Sequence, residues 1–497
     1  KNGEKGEGPY GHVHLSGNVW EYVLDYWHPR VYDTPKTRSN PRGPKDGSIH
    51  VLRGGGWNTF STNMRSANRF HDLVMGSASG FRCVRSEVEL QYDDVEVLQM
   101  VRFSGKVLAG GLKELKGRAL YITVFDAEDA GWGCSSRNGG QISTSIKPGF
   151  QKLCGQFGEA LAYKIIKEGQ NSLEWLKNFM VQEKIDCSFK VPGRFFAAHN
   201  QREFDRLAVN LETQPASLKV PATLVPRSKQ RAELGTDIYH GGAIFSSHAS
   251  LDPALYHSAL LTKVLEAGVK VIPNCRVEKI GKNDAKFSLE TQLGIFTAGR
   301  IIVGTNGYTG QLTPWLSRRV IPIGSYMIAT DIIDGPLMNK LMPTDRVISD
   351  TRKVVYYCRP SPDRRRIIFG GRVTTGEADV KKSGALLRRD LIGIFPELKG
   401  IKLSHSWMGF VAYTFDELPH IGEHGGINYA MGCCGSGVGM ASYLGTRVAQ
   451  QVLGLPEGVT AFDKLTFETR PFYNGKPWFL PATVAYYRWR DGAHSSK

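Results

Sequence analysis

The sequence predicts an α/β protein organised around a Rossmann-like dinucleotide-binding domain, and three local patterns predict it. The apolar run Tyr121-Ile122-Thr123-Val124-Phe125 ends on an acid, Asp126, where a carboxylate at the end of a buried strand can hydrogen-bond ribose hydroxyls. A small-residue block follows at once, Gly131-Trp132-Gly133-Cys134-Ser135-Ser136-Arg137-Asn138-Gly139-Gly140-Gln141, which lets backbone approach a flat ligand closely. Far downstream, Gly435-Ser436-Gly437-Val438-Gly439-Met440 opens a helix whose apolar residues Met440, Leu444, Val448 and Val452 recur every fourth position. Such a helix start presents free amides and the positive end of a dipole.

Composition narrows the class. The 497 residues are 41% apolar and 22% charged, ordinary for a soluble globular protein of more than one domain. No apolar run is long enough to span a bilayer and no secretory signal is visible, so a cytoplasmic location is expected. The first residue is Lys1 rather than Met, and the expectation is of an incomplete amino terminus. Net charge is +16, but the basic residues are scattered. Their densest cluster, Arg364-Arg365-Arg366, follows Pro362-Asp363 in a hairpin turn, and no nucleic-acid motif accompanies it, so no nucleic-acid partner is expected. The cysteines at 83, 134, 154, 187, 275, 358, 433 and 434 form no C-x-x-C pair and no zinc-ligand spacing. They read as free thiols in a reducing compartment with no metal, the vicinal pair Cys433-Cys434 packing near a cofactor.

Two unlike pieces share the chain. Residues 1–86 are rich in Gly, Asn and Trp, with turn signals between short apolar runs. Their blocks Ser16-Gly17-Asn18-Val19-Trp20-Glu21, Asn40-Pro41-Arg42-Gly43-Pro44, Val51-Leu52-Arg53-Gly54-Gly55-Gly56-Trp57, Arg65-Ser66-Ala67-Asn68-Arg69 and Gly80-Phe81-Arg82-Cys83-Val84 occur in that order. Together they resemble the carboxy-terminal part of a formylglycine-generating-enzyme (sulfatase-modifying factor) domain, which implies a partial C-type-lectin-like fold. Active members of that family place two copper-binding cysteines after the R-G-G-x-W block. Here the stretch reads Asn58-Thr59-Phe60-Ser61-Thr62-Asn63, so no catalytic role is expected for this piece. Residues 87–93 read as an acidic linker, and 94–491 as a second domain.

Within the second domain the elements follow in order. Val95 to Leu98 starts a first strand, which in a dinucleotide fold should run into G-x-G-x-x-G. Here that turn reads Met100-Val101-Arg102-Phe103-Ser104-Gly105, with only the third glycine in place. Side chains at the first two positions occupy space meant for phosphate oxygens. Pro253 to Ala267 reads as an amphipathic helix with Leu255, Ala259 and Leu260 on its apolar side, followed by the strand Val269 to Ile272. Arg276-Val277-Glu278-Lys279-Ile280 and a hairpin from Lys286 to Ile295 lead to Arg300-Ile301-Ile302-Val303-Gly304-Thr305-Asn306-Gly307, a buried parallel strand delivering a small polar loop. Between these lie helices such as Gly158 to Phe179, and strands through Arg319 to Thr330, Val354 to Arg359 and Arg366 to Val373.

The block from Gly131 to Gln141, the run Arg300 to Thr309, Trp407-x-Gly409-x-x-x-x-Thr414-x-Asp416-x-x-Pro419-x-Ile421-Gly422 and Gly435 to Met440 together resemble the FAD-dependent glycine/D-amino-acid oxidase family. Within it, the pattern is similar to the gamma-glutamylputrescine oxidoreductase-like members. The resemblance implies a cofactor domain from 94–149, 250–310 and 405–455, and an antiparallel-sheet substrate domain from 150–249 and 311–404. It implies FAD held by Gly105, Asp126, Ser135, Ser136, Arg137, Asn138, Gly139, Gly140, Gln141, the backbone of Val277, Thr305, Asn306, Gly307, and Gly435, Ser436, Gly437, Val438, Gly439 and Met440. Tyr326, Tyr357 and Arg359 are the candidates to line the substrate side.

The implied reaction is oxidation of a C–N bond of a small amine or amino acid, with hydride transfer to flavin and oxygen as acceptor. The cofactor supplies the redox chemistry, so no catalytic side chain is required and none is assigned. Two other readings stand beside this one: a non-catalytic pseudo-oxidase or binding protein, and an artefactual fusion of neighbouring genes. Met100 and Arg102 favour those two; the intact downstream blocks favour the enzyme.

Overall fold

The structure is a computed structural model. It describes residues 121–283, 286–374 and 379–493, side chains included apart from 372, 492 and 493. Before them it describes the backbone of the strands Trp20–Tyr26, His50–Arg53, Phe70–His71, Ser79–Phe81 and Val97–Met100. The chain divides into two compact units between Asp93 and Asp94.

In the first unit the four short strands form one sheet, ordered Phe70–His71, His50–Arg53, Trp20–Tyr26, Ser79–Phe81. The last pair is parallel and the others antiparallel. Most residues of the five sequence blocks, and the 58–63 stretch, lie outside the described residues.

The second unit is built on two large sheets, together with a three-stranded and a two-stranded one. The first is parallel, ordered Lys270–Ile272, Tyr121–Phe125, Val97–Met100, Arg300–Val303 and Ile427–Met431, with His420–His424 antiparallel at its edge. Its central strand ends at Met100, paired with Ile302. Arg102 and Gly105 lie outside the described residues. Ile301, Ile302 and Val303 are all buried because both faces are covered. On one side Ile302 joins Ile122 in a core with the helices Glu159–Gln182 and Gly437–Val452, through Ile165, Leu444 and Val448. On the other, Ile301 and Val303 meet Phe287 and Leu289 of the antiparallel sheet Val277–Asn283, Lys286–Thr291 and Gly294–Ala298. Alternation along one strand thus joins two cores.

The helix Pro253–Glu266 starts where expected, with Asp252 accepting from the amides of Ala254 and Leu255 at 2.9 and 3.1 Å, and proline at its first turn. Its buried side differs from the sequence expectation. Tyr256, Leu260 and Val264 turn inward, while Leu255 is 49% exposed. A tyrosine hydroxyl that can donate to Ser442 Oγ at 3.0 Å outcompetes a leucine for the inner position.

The second sheet has eight strands in the order Leu403–Tyr413, Ile321–Thr330, Ile367–Thr374, Tyr357–Pro360, Val347–Asp350, Arg194–Ala197, Gly242–Phe245, Ala222–Val225. All pairs are antiparallel except Val347–Asp350 with Arg194–Ala197. Residues 405–413, expected in the cofactor piece, form its edge strand, paired along nearly their whole length with Ile321–Thr330. One face packs on the helix Val380–Ile394 through Leu387 and Leu391, making a core with Phe195, Tyr326, Ile328, Cys358 and Phe369. The other face is the roof that bears on the candidate site. No described helix is long and apolar enough to cross a membrane.

Candidate active site

Register defines the roof. Phe196 pairs with Ser349, Ser349 with Tyr357, Tyr357 with Gly370, Gly370 with Met327, and Met327 with Trp407. Side chains alternate between faces along a strand, so this row presents one face across six strands. Tyr357 lies over Gly370, where a Cβ would come within 2.2 Å of its ring. Gly139 also stands against the ring, and its Cβ would lie 3.0 Å from it. Its hydroxyl is 3.2 Å from Ser325 Oγ, and burial pushes the phenol up to about 12.

Tyr326 does not reach the roof, which corrects the sequence expectation. Alternation with its neighbour Met327, which is in the roof row, puts it on the far face, where it is 0% exposed in the core beside Phe369. Arg359 faces the cofactor side but is engaged by backbone. Its Nε donates to Gly139 O at 2.7 Å, Nη2 to Leu251 O at 3.2 Å and Nη1 to Pro360 O at 3.5 Å. Those bonds make it a tie between the roof and the glycine loop rather than a free substrate contact.

The loop itself is internally braced. Cys134–Arg137 forms a single helical turn, and Ser136 Oγ donates to Gly131 O. Asn138 Nδ2 donates to the carbonyls of Cys134 and Ser135 at 3.1 and 3.0 Å, while its Oδ1 accepts from Gly140 N at 2.8 Å. Arg137 sits over the Trp132 ring at 4.7 Å. Gly140 has φ +66°, and a Cβ there would fall 2.1 Å from Leu251 O, so only glycine fits. Gln141 Nε2 donates to Ile348 O and Cys358 O at 3.3 and 3.2 Å, joining the loop to two roof strands. Trp407 Nε1 donates to Arg137 O at 2.8 Å, and Gly409 leaves room for Cys134, whose Sγ would lie 3.3 Å from an added Cβ. The tryptophan and glycine of the W-x-G signature thus clamp the glycine loop.

The remaining segments arrive at the carboxyl ends of the parallel strands. Asp126 is buried there, its Oδ1 accepting from Glu128 N at 3.1 Å. Val277 is buried at the start of its strand. Thr305 Oγ1 lies 2.7 Å from Thr309 Oγ1; Asn306 Oδ1 accepts from Gly432 N at 3.0 Å; Gly307 passes under Phe410 O, 2.7 Å from where its Cβ would be. In the Gly437–Val452 helix, Met440 is buried in the core and Gly439 packs on Ile142, so these two face protein.

Gly435 and Gly437 differ. Among the described residues, an added Cβ would meet only Tyr413 Oη at 3.6 Å and Lys147 Cε at 3.9 Å from Gly435, and only Cys433 Cβ at 4.0 Å from Gly437. Ser436 precedes the helix without capping it; its hydroxyl donates instead to Ser145 O at 3.1 Å. The first turn therefore offers amides and a positive dipole end to an acceptor. That open cradle fits the electron-rich edge of a flavin, which Gly435, Gly437 and Val438 would hold through their backbone. Cys433 and Cys434 behind it are buried, and burial pushes both thiols up to about 12, which makes them packing groups at neutral pH.

Sequence reasoning missed Arg194, Thr144, Ser145 and Lys147 near this region. No spacing distinguishes them; Arg194 comes in on its strand and the other three on the loop that follows Gln141–Ile142.

A family model described as FAD dependent oxidoreductase matches residues 112–451, and one described as sulfatase-modifying factor enzyme 1-like domain matches residues 2–87. The gamma-glutamylputrescine oxidoreductase of Escherichia coli is 27% identical over 379 residues, 74% of this chain and 87% of that relative. The formylglycine-generating enzyme of Thermomonospora curvata is 36% identical over 81 residues, 15% of this chain but only 27% of that enzyme. Among solved structures, glycine oxidase from Geobacillus kaustophilus superposes with a TM-score of 0.62 at 18% identity, covering 76% of this chain and 98% of that one.

Proposed function

Because the chain belongs to the FAD dependent oxidoreductase family, we propose that it oxidises the C–N bond of an amine or amino acid, with molecular oxygen as acceptor. The observation that supports this reading is the meeting of distant glycine segments at the roof: Gly139 against Tyr357 and Met327, Gly409 of the edge strand against Cys134, and Gly435 facing Tyr413 of that same strand. The E. coli relative's name supports a nitrogen-bearing substrate for this chain.

FAD, when bound, supplies the two-electron acceptor. The chain's own residues do the rest. The helix start at Gly437 would direct amide donors toward negative charge developing on a bound flavin, a preorganised arrangement that needs no reorganisation during reaction. Trp407 and Asn138 hold the loop rigid, and Tyr357 closes the roof above Gly139 and excludes water. For the segment at 1–86 we propose a packing or binding role without catalysis, since residues 58–63 carry no cysteine.

The test is the visible spectrum of the purified protein before and after incubation with FAD. A yellow protein with flavin absorption that bleaches under substrate supports the reading; a protein that stays colourless overturns it. Replacing both Met100 and Arg102 by glycine is expected to raise FAD occupancy.

A further inference from the structure

The helix Leu480–Ala493 contributes no residue to the site above, and its two faces differ in kind. By helical periodicity Leu480, Val484, Tyr487 and Asp491 share one face, while Ala482, Ala485, Tyr486 and Trp489 share the opposite one. The first set is the inner face: Leu480 and Asp491 are buried, Val484 and Tyr487 half-buried. The second set is exposed throughout, Tyr486 by 54% and Trp489 by 68%, with the two rings 6.1 Å apart. Arg488 and Arg490 fall one on each side of this outer stripe.

Charge is sorted in the same way. Asp491 is the sole acid between Pro471 and Lys497, against the bases Lys476, Arg488, Arg490 and Lys497. It turns inward, its Oδ2 accepting from the amides of Lys353 and Val354 at 2.9 and 3.4 Å. The outer surface of the helix is thus aromatic and cationic. The run leading into the helix repeats the pattern on a pinned backbone. Buried Tyr473 donates from its hydroxyl to Val320 O at 2.8 Å, and Gly475 packs on Ser317, whose Oγ lies 2.2 Å from where a Cβ would be. Beside these anchors Phe472 and Trp478 are turned into solvent, 94% and 70% exposed. Phe472 is held at φ +62°, a left-handed backbone that a bulky side chain seldom adopts. A fixed backbone that holds large rings in water costs stability, and such a surface marks a contact.

The charge decides the partner. A second copy of this face would bring the same arginines and no acid to answer them, on a protein of net charge +16. An anionic bilayer answers both features. Tyr and Trp rings settle at the boundary between headgroups and acyl chains, and arginines at their flanks reach headgroup phosphates. No described helix is long and apolar enough to cross a membrane, so the contact is one of lying on its surface.

We propose that the outer face of the helix Leu480–Ala493, with Phe472 and Trp478 before it, docks the protein on the surface of an anionic phospholipid bilayer. Such docking is independent of the C–N oxidation reading.

The test is flotation of the full chain with vesicles of phosphatidylglycerol and phosphatidylcholine in equal parts, and with vesicles of phosphatidylcholine alone. The wild type is expected to float with the mixed vesicles, to stay behind with the neutral ones and to be released by salt. Tyr486→Ser with Trp489→Ser, and separately Arg488→Gln with Arg490→Gln, should each weaken the partition roughly tenfold at an unchanged melting temperature. If either double variant does not fold, the single variants Trp489→Ser and Arg488→Gln, both at exposed positions, decide the matter. Equal flotation with neutral vesicles, or undiminished flotation in the variants, overturns the assignment. Absence of flotation together with Trp489-dependent self-association in sedimentation, or with Trp489-dependent binding of a single-stranded oligonucleotide, also overturns it and gives the face to that partner.

Discussion

The indole N–H of Trp407 and the carbonyl of Arg137, 270 positions apart in sequence, meet at 2.8 Å and lock the edge strand of the roof to the glycine loop. Replacing Trp407 by Phe keeps the ring and removes the donor. The expected cost is about 1 kcal/mol, seen as a fall of a few degrees in thermal unfolding, with weaker FAD retention on dialysis. An unchanged FAD dissociation constant would mean that the loop does not need this clamp.

Gly140→Ala places a methyl group 2.1 Å from Leu251 O at a φ of +66°. The loop must shift, and a loss of roughly 2 kcal/mol or more is expected. Circular-dichroism melting measures it; a Tm equal to wild type would contradict the tight packing of Gly140 on Leu251.

Gly437→Val should separate folding from cofactor binding. Among the described residues the space beyond Gly437 is open, with Cys433 Cβ at 4.0 Å as its sole near neighbour. The variant is expected to melt close to wild type yet purify without flavin. Full flavin content would place the flavin edge elsewhere.

Arg359→Lys is expected to act on stability and not on substrate. It removes the bonds to Gly139 O and Leu251 O, so the melting temperature should drop while KM for an amino-acid substrate stays within about twofold of wild type, the range in which no binding contact of kcal/mol size has been lost. A large rise in KM with unchanged melting would restore Arg359 as a substrate contact.

His248 gives the protein a pH dependence of known sign. Its folded-state pKa lies near 2 against an ordinary value of 6.5, because the ring is buried. Below pH 6.5 the unfolded chain binds a proton that the folded chain refuses, so stability falls as pH falls, by up to about 1.4 kcal/mol per unit. Urea unfolding between pH 7 and pH 5 should show this slope, and His248→Gln should flatten it. An identical slope in the variant would assign the effect to other groups.

What the sequence by itself determined is local. The strand 121–125 ending on Asp126, the buried run 301–303, the helix start at Pro253 and the fourfold apolar spacing of Met440, Leu444 and Val448 are written in short-range periodicity and turn chemistry. The tertiary structure alone decided which side chains share a face. Tyr326 and Tyr357 look alike in the chain, yet strand pairing puts Met327 in one row with Tyr357, so that alternation sends Tyr326 to a core and Tyr357 to the roof. Arg194 and Arg359 carry the same charge, yet only pairing between strands over a hundred residues apart leaves one saturated by carbonyls and the other with a buried N–H to spare. A two-residue period assigns alternation, but burial of one face against another segment assigns its sense, and that choice is made only when the sheets close.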